Sequence, residues 1–227
     1  MNKPLNFVLF LCFVFLVNIQ TNYAQYNDAG MWFSINAEKK ITPVFSFTLS
    51  EEGRFNENIS ELGTFFTDAG LSYKIGKLFK VSINYRFTNK RQVNDFYSKR
   101  HRYYVDLSIR KKFKPIILSF RTRFQSQYTD MFSSSTGLMP SYYSRNKLTL
   151  KFDLDKKYTP YISTELFSPL NNQDGGILID NARYTAGIEY AFNRMHSLDI
   201  FYLIQRECNV KNPETDYIIG LGYNLNF

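Results

Sequence analysis

Cysteine is nearly absent from this chain of 227 residues: only Cys12 and Cys208 occur. Cys12 lies inside an N-terminal apolar run after Leu11, where a lipoprotein site wants a small residue. Cys208 alone supports neither an intrachain disulfide nor a cysteine metal site. Histidine is almost as scarce, with only His101 and His196. Long apolar runs are missing too. The longest, Phe7 to Val17, has eleven residues, and a bilayer-spanning helix needs about 20. HExxH, EF-hand and glycine-rich phosphate-binding patterns are all absent, and Gly175-Gly176 reads as an ordinary loop pair. No cofactor or metal is expected from such a sequence.

Residues 1–24 read as an address. Lys3 gives a positive start, Phe7 to Val17 is the apolar stretch, and Ala24 offers a small residue for cleavage. An uncleaved N-terminal anchor is the alternative. Removing these 24 residues leaves 203 of the 227, read as one domain over 25–227 because no Pro- or Gly-rich linker divides it. The formal charge of +8 becomes +7 once Lys3 is lost. A basic balance can signal nucleic acid. For an exported chain, an anionic surface glycolipid or an acidic ligand fits better.

What the chain has in abundance is aromatic residues, 17 Tyr and 22 Phe, scattered singly among polar ones. Strands send successive side chains to opposite faces, and this alternation recurs. Phe79, Val81, Ile83, Tyr85 and Phe87 oppose Lys80, Ser82, Asn84, Arg86 and Thr88. Tyr103, Val105, Leu107 and Ile109 oppose Arg102, Tyr104, Asp106, Ser108 and Arg110. The same holds around Leu148–Leu154, Tyr184–Tyr190 and Tyr217–Phe227.

Eleven candidate strands result: 31–38, 43–53, 61–75, 78–89, 100–111, 115–128, 144–155, 158–168, 181–192, 196–206 and 215–227. Most are long enough to cross a membrane at a tilt. Short connections near 38–42, 75–77, 111–114, 155–158 and 193–195 alternate with longer polar ones near 55–59, 88–99, 129–143, 168–180 and 207–214. That layout predicts a closed antiparallel transmembrane β-barrel with periplasmic turns and extracellular loops. Single-chain bacterial barrels have even strand numbers, so the expectation is 10 to 12 strands. The weakest candidate is 31–38, which reads equally as a partial strand or a segment inside the lumen. A hidden strand around 177–179 is the other way to restore an even count.

The last strand ends in Tyr223, Leu225 and Phe227 on one face. A terminal aromatic in this position looks like the segment read by the barrel-assembly machinery.

Short marks spread over residues 30–227 carry a resemblance: Trp32, Glu52, Arg54, Tyr73, Tyr85-Arg86, His101-Arg102, Arg121-Thr122-Arg123, Glu165-Leu166-Phe167, and Arg183-Tyr184 before Gly187. The chain resembles an uncharacterised family of outer-membrane barrels, domain of unknown function 2490. That resemblance implies a fold and a compartment but no catalytic residues.

With the apolar face toward lipid, the opposite face lines the barrel. Its charged cluster comprises Glu52, Arg54, Arg86, Arg102, Asp106, Arg110, Arg121, Arg123, Lys147, Glu165, Arg183 and Glu189, with Lys80, Lys151, Asp153 and Asp199 beside them. One reading is a plug of Arg–carboxylate pairs that holds the wall in shape. The other is a selectivity or binding surface for an anion, which guanidinium forks suit. No catalytic set is legible. His101 follows a long loop and His196 a short turn, so they fall at opposite ends, ~25 Å apart. His101 with Asp95 or Asp106 lacks a placed nucleophile.

The expected function is therefore a non-enzymatic outer-membrane barrel, structural or passing small polar or anionic solutes through a narrow basic lumen. Its expected partners are outer-membrane lipid, lipopolysaccharide and the assembly machinery, with no nucleic acid; its oligomeric state is open. The alternatives are a lipid-modifying enzyme near His101, or a surface-binding barrel using the loops 129–143 and 169–180. The first of those loops carries Met131, Phe132, Leu138, Met139, Tyr142 and Tyr143.

Overall fold

The computed structural model describes residues 27–92, 96–129, 140–171 and 178–227. The expected export signal, Asp95, Gly175-Gly176 and most of the 129–143 loop lie outside the described residues.

Eleven strands form one closed sheet. They are β1 (Asn27–Lys40), β2 (Phe45–Asn56), β3 (Glu61–Ile75), β4 (Phe79–Arg91), β5 (Tyr97–Phe113), β6 (Ile116–Thr129), β7 (Ser141–Phe152), β8 (Tyr158–Pro169), β9 (Asn181–Ala191), β10 (His196–Glu207) and β11 (Thr215–Asn226). The shortest has 11 residues and the longest 17. Strands in soluble domains are usually about 5–6 residues long; these are of membrane-crossing length. Eleven strands spaced ~4.8 Å apart and tilted ~40° enclose a backbone cylinder about 22 Å wide.

The first strand is the main correction to the sequence reading. It is a full member of the wall, paired with β2 antiparallel and with β11 parallel over twelve residue pairs, Asn27↔Thr215 to Glu38↔Asn226. The parallel seam follows from counting. Consecutive strands alternate in direction, so β1 and β11 point the same way, and closure must join them in parallel. The seam continues past the last strand residue: Phe227 donates its N–H to the Glu38 carbonyl at 2.9 Å and accepts from Lys40 at 3.1 Å. Residues 178–180 form no strand.

Odd-to-even connections are all short: 41–44, 76–78, 114–115, 153–157 and 192–195. These define the turn end of the barrel. The opposite, loop end holds the start of β1 and the connections 57–60, 92–96, 130–140, 170–180 and 208–214. The segment at 55–59, expected to be a longer loop, is a four-residue turn, Glu57–Ser60. Glu57, Asn58 and Ile59 all have positive φ, costly for a β-branched residue. The Asp28 carboxylate holds them there by accepting the backbone N–H of Glu57 at 2.9 Å and of Asn58 at 2.8 Å.

The alternation sorts as the sequence predicts. Ile83, Tyr103, Leu107, Tyr184, Ile188 and Ile219 stand exposed on the outside. Among the described residues, buried polar or charged ones outnumber buried apolar ones by 15 to 6, the reverse of a water-soluble core. Packing around the seam is close. A Cβ on Gly220 would lie 1.9 Å from Cζ of Phe201, so only glycine lets this ring lie flat against the wall.

Candidate functional site in the barrel lumen

The inward faces of β2 to β9 bring most of the predicted cluster together, and the ladder registers decide the pairing. Asp68 on β3 sits opposite Arg86 on β4. It accepts Arg86 Nε at 2.8 Å, Arg86 Nη2 at 2.6 Å and the Tyr104 hydroxyl at 2.6 Å. Asp106 faces Arg123 across β5 and β6 and takes both arms of its guanidinium fork, at 2.7 and 2.8 Å. Glu165 on β8 serves two strands at once. Its Oε1 accepts Arg121 Nη2 at 2.5 Å, Arg145 Nη2 at 3.0 Å and Arg145 Nε at 3.1 Å. Arg54 bonds Glu52 at 2.6 Å along its own strand, and Lys151 bonds Glu189 at 2.6 Å nearer the turn end.

Aromatic rings among these charges keep the guanidiniums apart. Arg86 lies 3.7 Å from the Phe66 ring, Arg123 3.7 Å from Tyr104, and Arg145 4.3 Å from Phe167. Trp32 carries Arg54 at 3.8 Å and faces Arg183 at 5.1 Å. Such stacking holds a planar cation without neutralising it.

Among the described residues, three cations of the cluster have no ion pair with a carboxylate. Arg102 donates to Gln127 Oε1 at 3.0 and 2.5 Å, and Arg183 to Gln205 Oε1 at 2.6 Å. Both acceptors are neutral amides. Lys147 sits opposite Glu165 in register, but that carboxylate is turned to Arg121 and Arg145. Arg121 keeps a buried Nε with no partner.

The lumen is not filled. A turn-side chamber of about 550 Å³ reaches Lys147, Lys151, Tyr161 and Asp199. A waist of about 240 Å³ is bounded by Trp32, Arg54, Arg123, Lys147, Glu165 and Arg183. A loop-side chamber of about 430 Å³ is bounded by Arg54, Arg102, Gln127, Arg145 and Arg183. Adjacent chambers share residues: Lys147, Tyr161 and Asp199 border the first two, and Arg54, Arg86, Arg145 and Arg183 the last two. The cations without an ion pair are thus spread over the three chambers, Arg102 on the loop side, Arg183 at the waist and Lys147 on the turn side.

Arg110 does not join the cluster. It is exposed at the turn end of β5, three residues from its last residue. Asp153 lies just past β7 at the same rim, ion-paired with Lys112. Two members, Asp68 and Arg145, escaped the sequence reading. Arg145 was legible by stepping the Lys147-Thr149-Lys151 alternation back one pair. Asp68 was not, because Phe66 and Gly70 share its face and hide the polar pattern.

Both histidines point outward. His101 Nδ1 is hydrogen-bonded to the Tyr85 hydroxyl at 2.8 Å within an aromatic group of Phe87, Tyr103 and Tyr128 toward the loop end. His196 Nδ1 bonds the Tyr223 hydroxyl at 2.8 Å at the turn end. Tyr223, Leu225 and Phe227 keep their shared outer face, where Phe227 also receives the Lys39 ammonium at 5.8 Å from the ring centroid. Among the described residues no group of three His, Cys, Asp or Glu side chains could hold a metal ion.

A closed wall of long strands, apolar outside and charged inside, defines a transmembrane β-barrel of the outer-membrane type. Within that class the chain belongs to the DUF2490 family, proteins of unknown function, whose model matches residues 29–216. Among curated proteins no sequence matches. Solved structures similar to this one include the beta domain of the Bordetella autotransporter BrkA, 10% identical, with a TM-score of 0.53 over 83% of this chain and 86% of that one. The NanC porin is 14% identical, with a TM-score of 0.49 over 78% of this chain and 86% of that one. At these identities the likeness is one of fold.

Proposed function

We propose that this protein is a non-enzymatic outer-membrane pore for small anions, exported by residues 1–24 and inserted with its turns in the periplasm. The observation that carries the reading is the column of Arg102, Arg183 and Lys147, cations without an ion-paired carboxylate in three successive chambers that share lining residues. An anion entering the lumen meets an uncompensated positive charge at each stage and is passed between them. A small cation meets the same charges as barriers. Asp68, Asp106 and Glu165 are engaged in holding Arg86, Arg123, Arg121 and Arg145, and Asp199, beside Lys147, accepts the Tyr161 hydroxyl. The waist sets the size limit.

The test is single-channel recording of the purified barrel in a planar bilayer under a KCl gradient. Discrete steps whose reversal potential lies on the chloride side are expected. A closed trace, or a potential on the potassium side, would overturn the proposal.

A further inference from the structure

Charge is unevenly divided between the two ends of the wall. Every connection at the turn end carries or adjoins an exposed cation: Lys40, Lys77, Lys114, Lys156 and Arg194. The carboxylates of the turns themselves, Asp153 and Asp155, are occupied by Lys112 and by Lys114 at 2.7 Å. Among the described residues, Lys40, Lys77, Lys157 and Arg194 have no ion pair. The loop end instead is mixed: Asp28, Glu57, Glu61, Glu207, Glu214 and Asp216 stand among Lys90, Arg91, Lys99, Arg100, Arg206 and Lys211, and Arg91 pairs with both Glu57 and Glu61.

Depth singles out the partner. At the turn rim three lysines each stand over an aromatic ring: Lys39 on Phe227 at 5.8 Å, Lys111 on Phe113 at 4.8 Å and Lys156 on Tyr158 at 5.5 Å. Phe113, Tyr158 and Phe227 are exposed and close the apolar belt. Rings at the edge of such a belt sit at the level of lipid headgroups, and lysines extend their stems from there to reach phosphate. A cation held over a ring at this depth meets a lipid phosphate before it meets any soluble polymer.

We propose that the turn-end rim is a binding collar for anionic phospholipid headgroups of the leaflet that meets the turns. The collar is separate from the lumen column and stands or falls without it. It also gives the barrel an orientation: a basic rim in one leaflet and a charge-balanced rim in the other.

The test uses the full-length barrel in nanodiscs of phosphatidylcholine with phosphatidylglycerol, followed by extraction into detergent and native mass spectrometry of retained lipid. Wild type should retain phosphatidylglycerol over phosphatidylcholine by at least about tenfold, since each surface cation contributes about fivefold. The quadruple variant K77Q/K111Q/K156Q/R194Q should lose that preference, and the matching K77R/K111R/K156R variant should keep it. A heat-modifiable gel shift confirms that each variant is folded. Equal retention of both lipids by wild type overturns the collar. So does a preference that survives in the quadruple variant.

Discussion

Lys147→Gln and Glu165→Gln are neighbouring, nearly isosteric changes whose effects on ion flow should have opposite signs. Lys147 and Glu165 face each other across β7 and β8 and both border the waist. A unit charge ~6 Å from the ion path, in a medium of effective dielectric 40 to 80, shifts an ion's energy by about 0.7–1.4 kcal/mol. Removing the Lys147 charge makes chloride less welcome and potassium more so. Each changes by about threefold to tenfold, and the permeability ratio falls by about tenfold or more. Removing the Glu165 charge raises the ratio by a similar factor. Their stability effects differ in kind. Lys147 has no bond to lose, so K147Q should stay within about 0.5 kcal/mol of wild type. E165Q strands Arg121 and Arg145 and should cost about 3–5 kcal/mol. Reversal potentials in ~0.1 M KCl, where screening extends over about 10 Å, read the first effect. Urea unfolding followed by gel shift reads the second. Open channels whose reversal potential moves the same way in both variants, or in neither, would refute the charge-column reasoning.

Asp106→Asn removes a bidentate partner from a guanidinium whose side chain is 8% exposed, and should lower unfolding stability by about 3 kcal/mol. Trp32→Ala removes the ring beside Arg54 and Arg183 at the 240 Å³ waist, so single-channel conductance should rise. Asp153, outside the spanning segments, is held below the usual carboxylate range mainly by its hydrogen bond from Lys112. A depressed carboxylate stabilises above its ordinary pKa, and that contribution is lost as pH falls through the depressed value. Asp153→Asn should therefore flatten the acid side of the unfolding-temperature profile, with little change near neutrality. Phe227→Ala keeps the two backbone bonds to β1 but removes the terminal ring. Reduced insertion by the assembly machinery, with normal unaided folding in detergent, is the expected pair of results.

The fold was largely legible because each strand carries two chemically different faces. Phe79 to Phe87 against Lys80 to Thr88 leaves little choice of register or orientation. Strand β1 was harder to read for a physical reason. Its inward residues are Gly30, Trp32, Ser34 and Asn36, so a large aromatic interrupts the polar face. The need for a partner on the free edge of β11 is a property of the closed sheet, invisible within residues 27–40. The site was legible as composition and not as pairing. Arg102 and Arg121 look alike in sequence, yet one meets a neutral amide and the other a carboxylate. Which it meets depends on registers between strands far apart in the chain.

The odd strand count has a consequence for assembly. An even barrel divides into hairpins, each inserted with both ends on one side. Here β2 to β11 make five such hairpins, and β1 is left over. If the barrel inserts from its turn side, as proposed, the leading end of β1 is carried through the bilayer alone and stays on the side opposite the C-terminus. A short peptide fused just before Asn27 would therefore be displayed among the loops, while the same peptide fused after Phe227 would remain among the turns. Labelling the two fusions from one face of the membrane would reveal the parity of the barrel directly.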